Sequence, residues 1–130
     1  EEYNKAIDLS PDYVDAHFNR ANLYKSMGDN KKALEDYGNT VKLRPNHHDA
    51  HCNRANLLME LGKYDLALLG YAKVIELKPD SAKAYDDHGR ISHFAGKCDK
   101  ALESFNKALE LSPMDAEIYV HRGLLHKTMK

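Results

Sequence analysis

Proline recurs at a fixed interval of 34 residues along this 130-residue chain, at Pro11, Pro45, Pro79 and Pro113. Four further columns of residues share the interval, and they consist of glycines, alanines, leucines and aromatic residues: Gly28, Gly62 and Gly96; Ala33, Ala67 and Ala101; Leu9, Leu43, Leu77 and Leu111; Tyr3, Tyr37, Tyr71 and Phe105. Five columns in one register indicate an internal repeat. Repeats of about 20 to 50 residues are the signature of stacked repeat arrays.

Each interval has the pattern of two amphipathic helices joined by a turn. After Pro11, apolar or small residues recur at spacings of three and four, which is the pattern of one face of an α-helix. Gly28 follows that run, and glycine accepts the left-handed conformation that commonly ends a helix. A second run extends from Ala33 to Leu43 and ends before Pro45, whose ring disfavours helix in the preceding residue. The sequence therefore predicts an all-α fold in which helices pair through short turns.

The composition restricts the classes of partner. With 19 Lys and Arg against 20 Asp and Glu, the formal net charge of −1 gives no basis for binding nucleic acid or an anionic membrane. Apolar runs are far shorter than the roughly 18 to 20 residues that cross a bilayer. Cys52 and Cys98, the only two cysteines, are too far apart for a disulfide framework or a zinc site. We therefore expect a cytoplasmic protein, with a nuclear or ciliary location left open.

These columns together resemble the tetratricopeptide repeat family, whose 34-residue pattern has small residues at repeat positions 8 and 20, an aromatic residue at 24 and proline at 32. The resemblance covers nearly the whole chain and implies a right-handed superhelix of antiparallel helix pairs. It predicts one continuous domain with a partial repeat at 1–11, complete repeats at 14–47, 48–81 and 82–115, and a partial repeat at 116–130.

The chain departs from the family pattern at two positions of the first helix. At position 4 the family's Trp is replaced by His17, His51, Tyr85 and Tyr119. At position 7 its common Leu is replaced by Arg20, Arg54, His88 and Arg122. Gly38 and Gly70 fall inside predicted second helices, where a glycine costs about 1 kcal/mol, and the sequence gives no reason for them.

The repeat phase predicts that the chain is part of a longer array, because it begins within a second helix and ends after an unpaired first helix. The last helix is then expected to lack the helix that would cover four of its apolar side chains: Ile118, Tyr119, Leu125 and Met129. Exposed apolar surface promotes association. We therefore expect the isolated chain to self-associate through the array ends.

The resemblance implies that the first helix of each repeat lines a concave groove in which partner proteins bind. Repeat positions 2, 5, 6, 9, 12 and 13 share one helical face. The candidate partner-binding residues on that face are Asp15, Phe18, Asn19, Asn22, Asp49, Asn53, Asn56, Lys83, Asp87, Arg90 and His121. Six carboxylates face four Lys or Arg residues over the whole face. We expect such a mildly acidic groove to favour neutral or slightly basic segments.

Asparagine recurs in this groove within the motif Asn-Arg-Ala-Asn, as Asn19 with Asn22 and as Asn53 with Asn56. A side-chain amide can both donate to and accept from the backbone of an extended peptide, whatever the peptide's sequence. Similarity to the array of O-linked N-acetylglucosamine transferase implies such an asparagine ladder. The alternative is that these residues are solvated helix residues tied to neighbouring turns. The sequence leaves both interpretations open.

Two functions are compatible with these features. The first is a non-enzymatic scaffold that holds an extended or helical segment of another protein in the groove. The alternative is a substrate-recognition arm of a larger enzyme, such as an O-linked N-acetylglucosamine transferase-like protein. The carboxylate clamp of Hsp70/Hsp90 co-chaperones is less favoured, because Phe18 stands where that clamp needs Lys and Asp87 where it needs Arg.

No catalytic residue, cofactor or metal site is predicted. The sequence has no phosphate-binding glycine-rich loop, no nucleophile elbow and no His-Glu-x-x-His motif. His47, His48 and His51 stand close together near a predicted helix start, with Asp49 among them. They lack the further Cys or carboxylate ligands of a convincing metal site, so surface histidines are the expected interpretation.

Overall fold

The computed structural model describes residues 2–130, which form eight α-helices and no strand within that range. The helices in chain order are α1 (Glu2–Leu9), α2 (Val14–Ser26), α3 (Asn30–Leu43), α4 (His48–Glu60), α5 (Tyr64–Leu77), α6 (Ala82–Phe94), α7 (Cys98–Leu111) and α8 (Ala116–Thr128). Each of the ranges 14–47, 48–81 and 82–115 contains two helices. The chain forms two compact units, a first unit that ends at Leu57 and a second unit from Leu58 to Lys130.

The core of the first unit is built where α2, α3 and α4 meet. Ala21, Ala33, Tyr37 and Leu57 form one fully buried cluster, with Phe18 packed against its edge. Two alanines at the contact let the helices approach closely, and the Tyr37 ring fills the space that remains between them. The small and aromatic columns of the sequence are therefore the two halves of one packing arrangement.

The core of the second unit contains the same arrangement with a smaller residue. One cluster joins α7 to α8 and includes Ala101, Phe105, Ala108, Ile118 and Leu125, all buried. On α6, a Cβ built at Gly89 would lie 2.7 Å from Cε1 of the Phe105 ring. That distance is shorter than real Cβ contacts allow, so the α6–α7 contact requires glycine at this position.

The three turns within the repeats share one geometry. Gly28, Gly62 and Gly96 have positive φ angles of 81°, 75° and 77°. In the first turn the N–H of Gly28 donates to the carbonyl of Lys25, and the N–H of Asp29 donates to the carbonyl of Tyr24. This bond pair defines the Schellman cap, and it recurs at the other two turns. The glycine column is thus explained by backbone conformation.

Three of the four polar rings at repeat position 4 bind the backbone of the turn that precedes their helix. Nε2 of His17 lies 2.6 Å from the carbonyl oxygen of Pro11, and Nε2 of His51 lies 2.8 Å from that of Pro45. The Tyr119 hydroxyl donates to the Pro113 carbonyl at 3.0 Å. Since these carbonyls lie beyond the last helical hydrogen bonds, the rings supply the missing donors. The replacement of Trp therefore has a structural role.

The arginines at position 7 differ in their pairing. Arg20 donates from Nε and Nη2 to both carboxylate oxygens of Asp36, at 2.6 and 2.8 Å, and Asp36 is only 2% exposed. Arg54 has Gly38 and Gly70 at the positions 16 residues before and after it, so neither supplies an acceptor. Within residues 2–130 its guanidinium has no hydrogen-bond or ion-pair partner. A Cβ at Gly38 would meet no atom within 4 Å, so packing does not require that glycine.

The expectation about exposed apolar residues on α8 is wrong for two of the four. Ile118 and Leu125 are 1% and 0% exposed, because this side of α8 packs onto the Phe105 and Ala108 side of α7. Tyr119 and Met129 are exposed, at 48% and 42%. Self-association stays a prediction, and Ile118 and Leu125 no longer support it.

None of the eight helices in residues 2–130 combines the length and apolar character that crossing a bilayer requires.

We predict that Gly89→Ala lowers the free energy of unfolding by about 1 to 3 kcal/mol, because the new methyl group overlaps the buried Phe105 ring. The matched change is Gly123→Ala, at the same repeat position on α8, where a Cβ meets nothing within 4 Å. It should raise stability by up to about 1 kcal/mol through helix propensity. Urea unfolding measures both. Equal shifts for the two variants would contradict the close contact at Gly89.

We also predict that Arg20→Met lowers stability by about 2 to 4 kcal/mol, because it leaves the buried Asp36 carboxylate without its bidentate partner. Arg54→Met keeps the aliphatic stem in the same way but removes no pair, so it should change stability by less than about 0.5 kcal/mol. Thermal melts of the two variants provide the comparison, and similar losses would contradict the pairing described for Arg20.

Candidate functional site

In the first unit, α2 and α4 present the predicted groove residues with different degrees of exposure. Asp15, Asn19 and Asp49 are exposed, whereas Asn22 and Asn53 are half-buried. Phe18 is also half-buried, and its ring centroid lies 4.7 Å from that of His47 and 6.2 Å from that of Tyr37. Phe18 therefore belongs to the edge of the core as much as to the groove.

The amides of Asn22 and Asn53 meet on this face. Nδ2 of Asn53 donates to Oδ1 of Asn22 at 3.2 Å, and the hydroxyl of Tyr37 donates to the same oxygen. Burial raises the pKa of Tyr37, and the amide of Asn53 opposes part of that rise. The Asn22 oxygen is thus used within the protein. The amide nitrogen of Asn22 and the oxygen of Asn53 have no protein partner among residues 2–130.

Asn56, the second asparagine of its motif, is half-buried and makes contacts of its own. The structure therefore brings Asn22 and Asn53 together, and it places Asn19 in solvent on the same helix as Asn22. Both interpretations of the motif therefore stay predictions. Within the protein, the contacts of this pair use the Asn22 oxygen and the Asn53 amide nitrogen.

In the second unit, Lys83, Asp87 and Arg90 form one ion-pair network on α6. Asp87 is 8% exposed, and it accepts hydrogen bonds from Nζ of Lys83 and from the hydroxyl of Tyr71, each at 3.2 Å. Arg90 Nη1 lies 3.5 Å from the other Asp87 oxygen. Both predicted cations of this helix are therefore partly neutralised by the same buried carboxylate.

His121, on α8, pairs with the neighbouring carboxylate of α6. Its Nδ1 lies 2.8 Å from Oδ1 of Asp86, which is 8% exposed. Burial raises the pKa of Asp86, and the hydrogen bond from His121 opposes that rise. The pair joins α6 to α8 on the predicted groove face.

Two cavities open between α6 and α8 in the second unit. The larger, of about 510 Å³, is lined by four carboxylates together with Lys83, Arg90 and His121. The smaller, of about 210 Å³, is lined mainly by rings and by Leu124. Arg90 and His121 border both cavities. The predicted residues Lys83, Asp87, Arg90 and His121 thus converge on one place.

A further cavity, of about 650 Å³, was not foreseen from the sequence. It lies against α5, α6 and α7 and includes Tyr85, His88 and Lys100. His88 occupies repeat position 7, and its Nδ1 lies 2.7 Å from the hydroxyl oxygen of Ser104. The sequence feature that could have indicated this cavity is the histidine at repeat position 7, where the other repeats have arginine. Burial lowers the pKa of His88, Lys100 lowers it further, and Glu103 opposes the shift.

The histidines near the start of α4 bind neighbouring groups. Nδ1 of His47 accepts the N–H of Ala50 at 3.1 Å and so caps the helix. His48 contacts Asp49 and the sulfur of Cys52, and His51 binds the carbonyl of Pro45. Over residues 2–130, no three His, Cys, Asp or Glu side chains are grouped so that they could hold a metal ion.

We predict that stability falls as the pH is lowered from about 7.5 to 5.5, in part because of His88. Its folded-state pKa lies below the unfolded value near 6.5, so the unfolded chain binds the proton more readily in this range. In His88→Asn this part of the pH dependence should disappear. Urea unfolding of both proteins at each pH tests it, and parallel pH profiles would contradict the buried neutral imidazole.

Comparison with known proteins gives both a family and a fold. Family models described as "TPR repeat" match residues 1–28, 21–62 and 89–130, and one described as "Tetratricopeptide repeat" matches residues 48–81. No curated protein matches the chain significantly.

Solved structures share the fold at low sequence identity. MamA 41-end from Desulfovibrio magneticus RS-1 is 23% identical, with a TM-score of 0.89 over 98% of this chain and 72% of that chain. The first TPR of Spaghetti (RPAP3), bound to the HSP90 peptide SRMEEVD, is 21% identical, with a TM-score of 0.80 over 89% and 92%. The Arabidopsis OM64 TPR domain is 23% identical, with a TM-score of 0.78 over 88% and 95%. The all-α helical repeat fold is thereby confirmed, and the chain belongs to the tetratricopeptide repeat family.

Proposed function

We propose that this protein is a non-catalytic scaffold that holds segments of other proteins against the faces of its first-type helices, which are α2 and α4 in the first unit and α6 and α8 in the second. Membership of the tetratricopeptide repeat family supports a protein-binding role. The solved structure of the first TPR of Spaghetti contains a bound peptide, which supports the same role by fold analogy.

The observation that carries the proposal is the pair of adjacent amides on α2 and α4. Nδ2 of Asn53 lies 3.2 Å from Oδ1 of Asn22, so each side-chain amide has one polar atom engaged and one left over. The Tyr37 hydroxyl and the Asn53 amide fix the orientation of Asn22 from below. A free donor on Asn22 and a free acceptor on Asn53 match the alternating carbonyl and N–H groups of an extended peptide.

The charged residues on α6 favour a less acidic partner than the peptide bound to the Spaghetti repeat. An acidic peptide such as SRMEEVD needs available cations, but Lys83 and Arg90 already pair with Asp87. A second carboxylate placed beside Asp87 would be repelled by it. We therefore assign the groove a neutral or basic segment. Within residues 2–130, no feature favours the alternative of an enzyme's substrate-recognition arm.

The proposal predicts that peptides selected on the immobilised protein from a random displayed library include a class that depends on Asn53. For that class, Asn53→Ala should weaken binding by about 1 to 3 kcal/mol, because backbone groups of the peptide lose their hydrogen-bond partner. Fluorescence anisotropy measures the affinities, and circular dichroism verifies that the variant is folded.

The matched control is Asn39→Ala, which removes an amide of the same type from α3, a second-type helix. It should leave every affinity unchanged. If all selected peptides bind a folded Asn53→Ala protein as tightly as the wild type, the amide pair is not the binding surface. If the library yields no peptide at all, the proposed function itself is contradicted.

A further inference from the structure

The aromatic residue at repeat position 24 changes its chemistry along the chain. The hydroxyl of Tyr37 reaches Asn22 in the first unit. In the second unit the hydroxyl of Tyr71 donates to Asp87 at 3.2 Å. In the third complete repeat this residue is Phe105, which has no hydroxyl, and its ring centroid lies 6.2 Å from that of His121. Where the two tyrosines place a polar atom beneath the groove, Phe105 places only a ring edge.

The apolar cavity of about 210 Å³ lies where this change occurs. Phe105 forms part of its wall together with Phe94, Leu124 and the ring of His93. Phe94 and Leu124 are 59% and 54% exposed, although both are large apolar side chains on the groove face. A cavity with an apolar floor and two exposed apolar walls fits one large apolar side chain of a ligand.

The neighbouring cavity of about 510 Å³ has the opposite character. Its carboxylates are Asp86, Asp87, Asp115 and Glu117. Asp86 and Asp87 are paired within the protein, and Asp115 caps α8 by accepting the N–H of Glu117. The exposed side chain of Glu117 has no partner among residues 2–130. The four carboxylates outnumber the basic side chains Lys83, Arg90 and His121, so negative charge is in excess at this cavity.

We propose that the second unit selects a partner segment that carries a Lys or Arg side chain two residues from a large apolar one. The basic side chain enters the acidic cavity and approaches Glu117, and the apolar side chain enters the cavity beside Phe105. The two cavities share Arg90 and His121 as a common wall. In an extended segment, alternate side chains point to the same side about 7 Å apart, which suits neighbouring cavities. This inference rests on the proposed function and specifies its partner.

The test uses displayed peptide libraries of nine residues in which Lys-x-Leu or Leu-x-Lys is fixed at the centre, with matching libraries that carry Glu in place of Lys. The Lys libraries should be enriched on the wild-type protein and the Glu libraries should not. For the best enriched peptide, exchanging its Lys for Glu should weaken binding about tenfold.

Substitutions at two exposed positions, Glu117 and Leu124, test the two cavities separately. Glu117→Lys should weaken the Lys peptide about five- to tenfold and improve the Glu peptide, because the sign of the local charge is reversed. Asp99→Lys makes a similar change in the first turn of α7 and should have no effect. Leu124→Asn should weaken the peptide about tenfold through the apolar cavity, whereas Leu69→Asn, at an exposed leucine of α5, should not.

The outcomes distinguish this inference from the function on which it rests. Equal enrichment of Lys and Glu libraries overturns the inference, and so does a peptide whose affinity is unchanged by both Glu117→Lys and Leu124→Asn. If only random-library peptides that depend on Asn53 bind, the scaffold function stands and the inference fails. If no peptide of any library binds, both are wrong.

Discussion

The contact between a small residue on a first helix and an aromatic ring on the second helix is the constraint on which the remaining structure depends. Ala21 packs with Tyr37 in the first unit, and Gly89 packs with Phe105 in the second. Because interiors are packed to near-crystalline density, the helix separation is fixed by these side chains to a fraction of an ångström. The side chains that project from the other side of each first helix are positioned as a consequence.

The same rings connect the core to the candidate binding face. A tyrosine hydroxyl at this position is buried and needs a partner, and it finds one in a groove residue, Asn22 for Tyr37 and Asp87 for Tyr71. Groove residues are therefore oriented by the core, which limits the conformational freedom that a ligand would have to remove. Phe105 makes no such bond, and the groove beside it is apolar. Variation at one core position thus changes the chemistry of the candidate binding face.

Electrostatic pairing decides which groove charges are available to a partner. Lys83 and Arg90 both contact Asp87, and His121 contacts Asp86. The two carboxylates are among the most buried charged groups of the chain, so the cations serve first to compensate for their desolvation. Exposed carboxylates such as Asp15, Asp49 and Glu117 have no comparable role in the fold. In each unit, carboxylates therefore stay exposed on the first-type helices, although the net charge of the chain is only −1.

The sequence by itself determined the helices, their turns and the identity of the packing columns, because these follow from local rules with a period of 34 residues. Glycine is needed wherever φ is positive, proline stops a helix, and small residues alternate with rings where helices touch. The same periodicity placed Lys83, Asp87, Arg90 and His121 on one face. Only the tertiary structure decided which polar atoms are already hydrogen-bonded within the protein and which side chains are buried. Residues from neighbouring helices decide that the Asn22 oxygen is hydrogen-bonded, that Ile118 and Leu125 are buried, and that a cavity lies beside His88. Those neighbours lie on other helices, for example 15 and 31 positions from Asn22 and 16 positions from His88. They differ from repeat to repeat, so a repeat pattern cannot specify them.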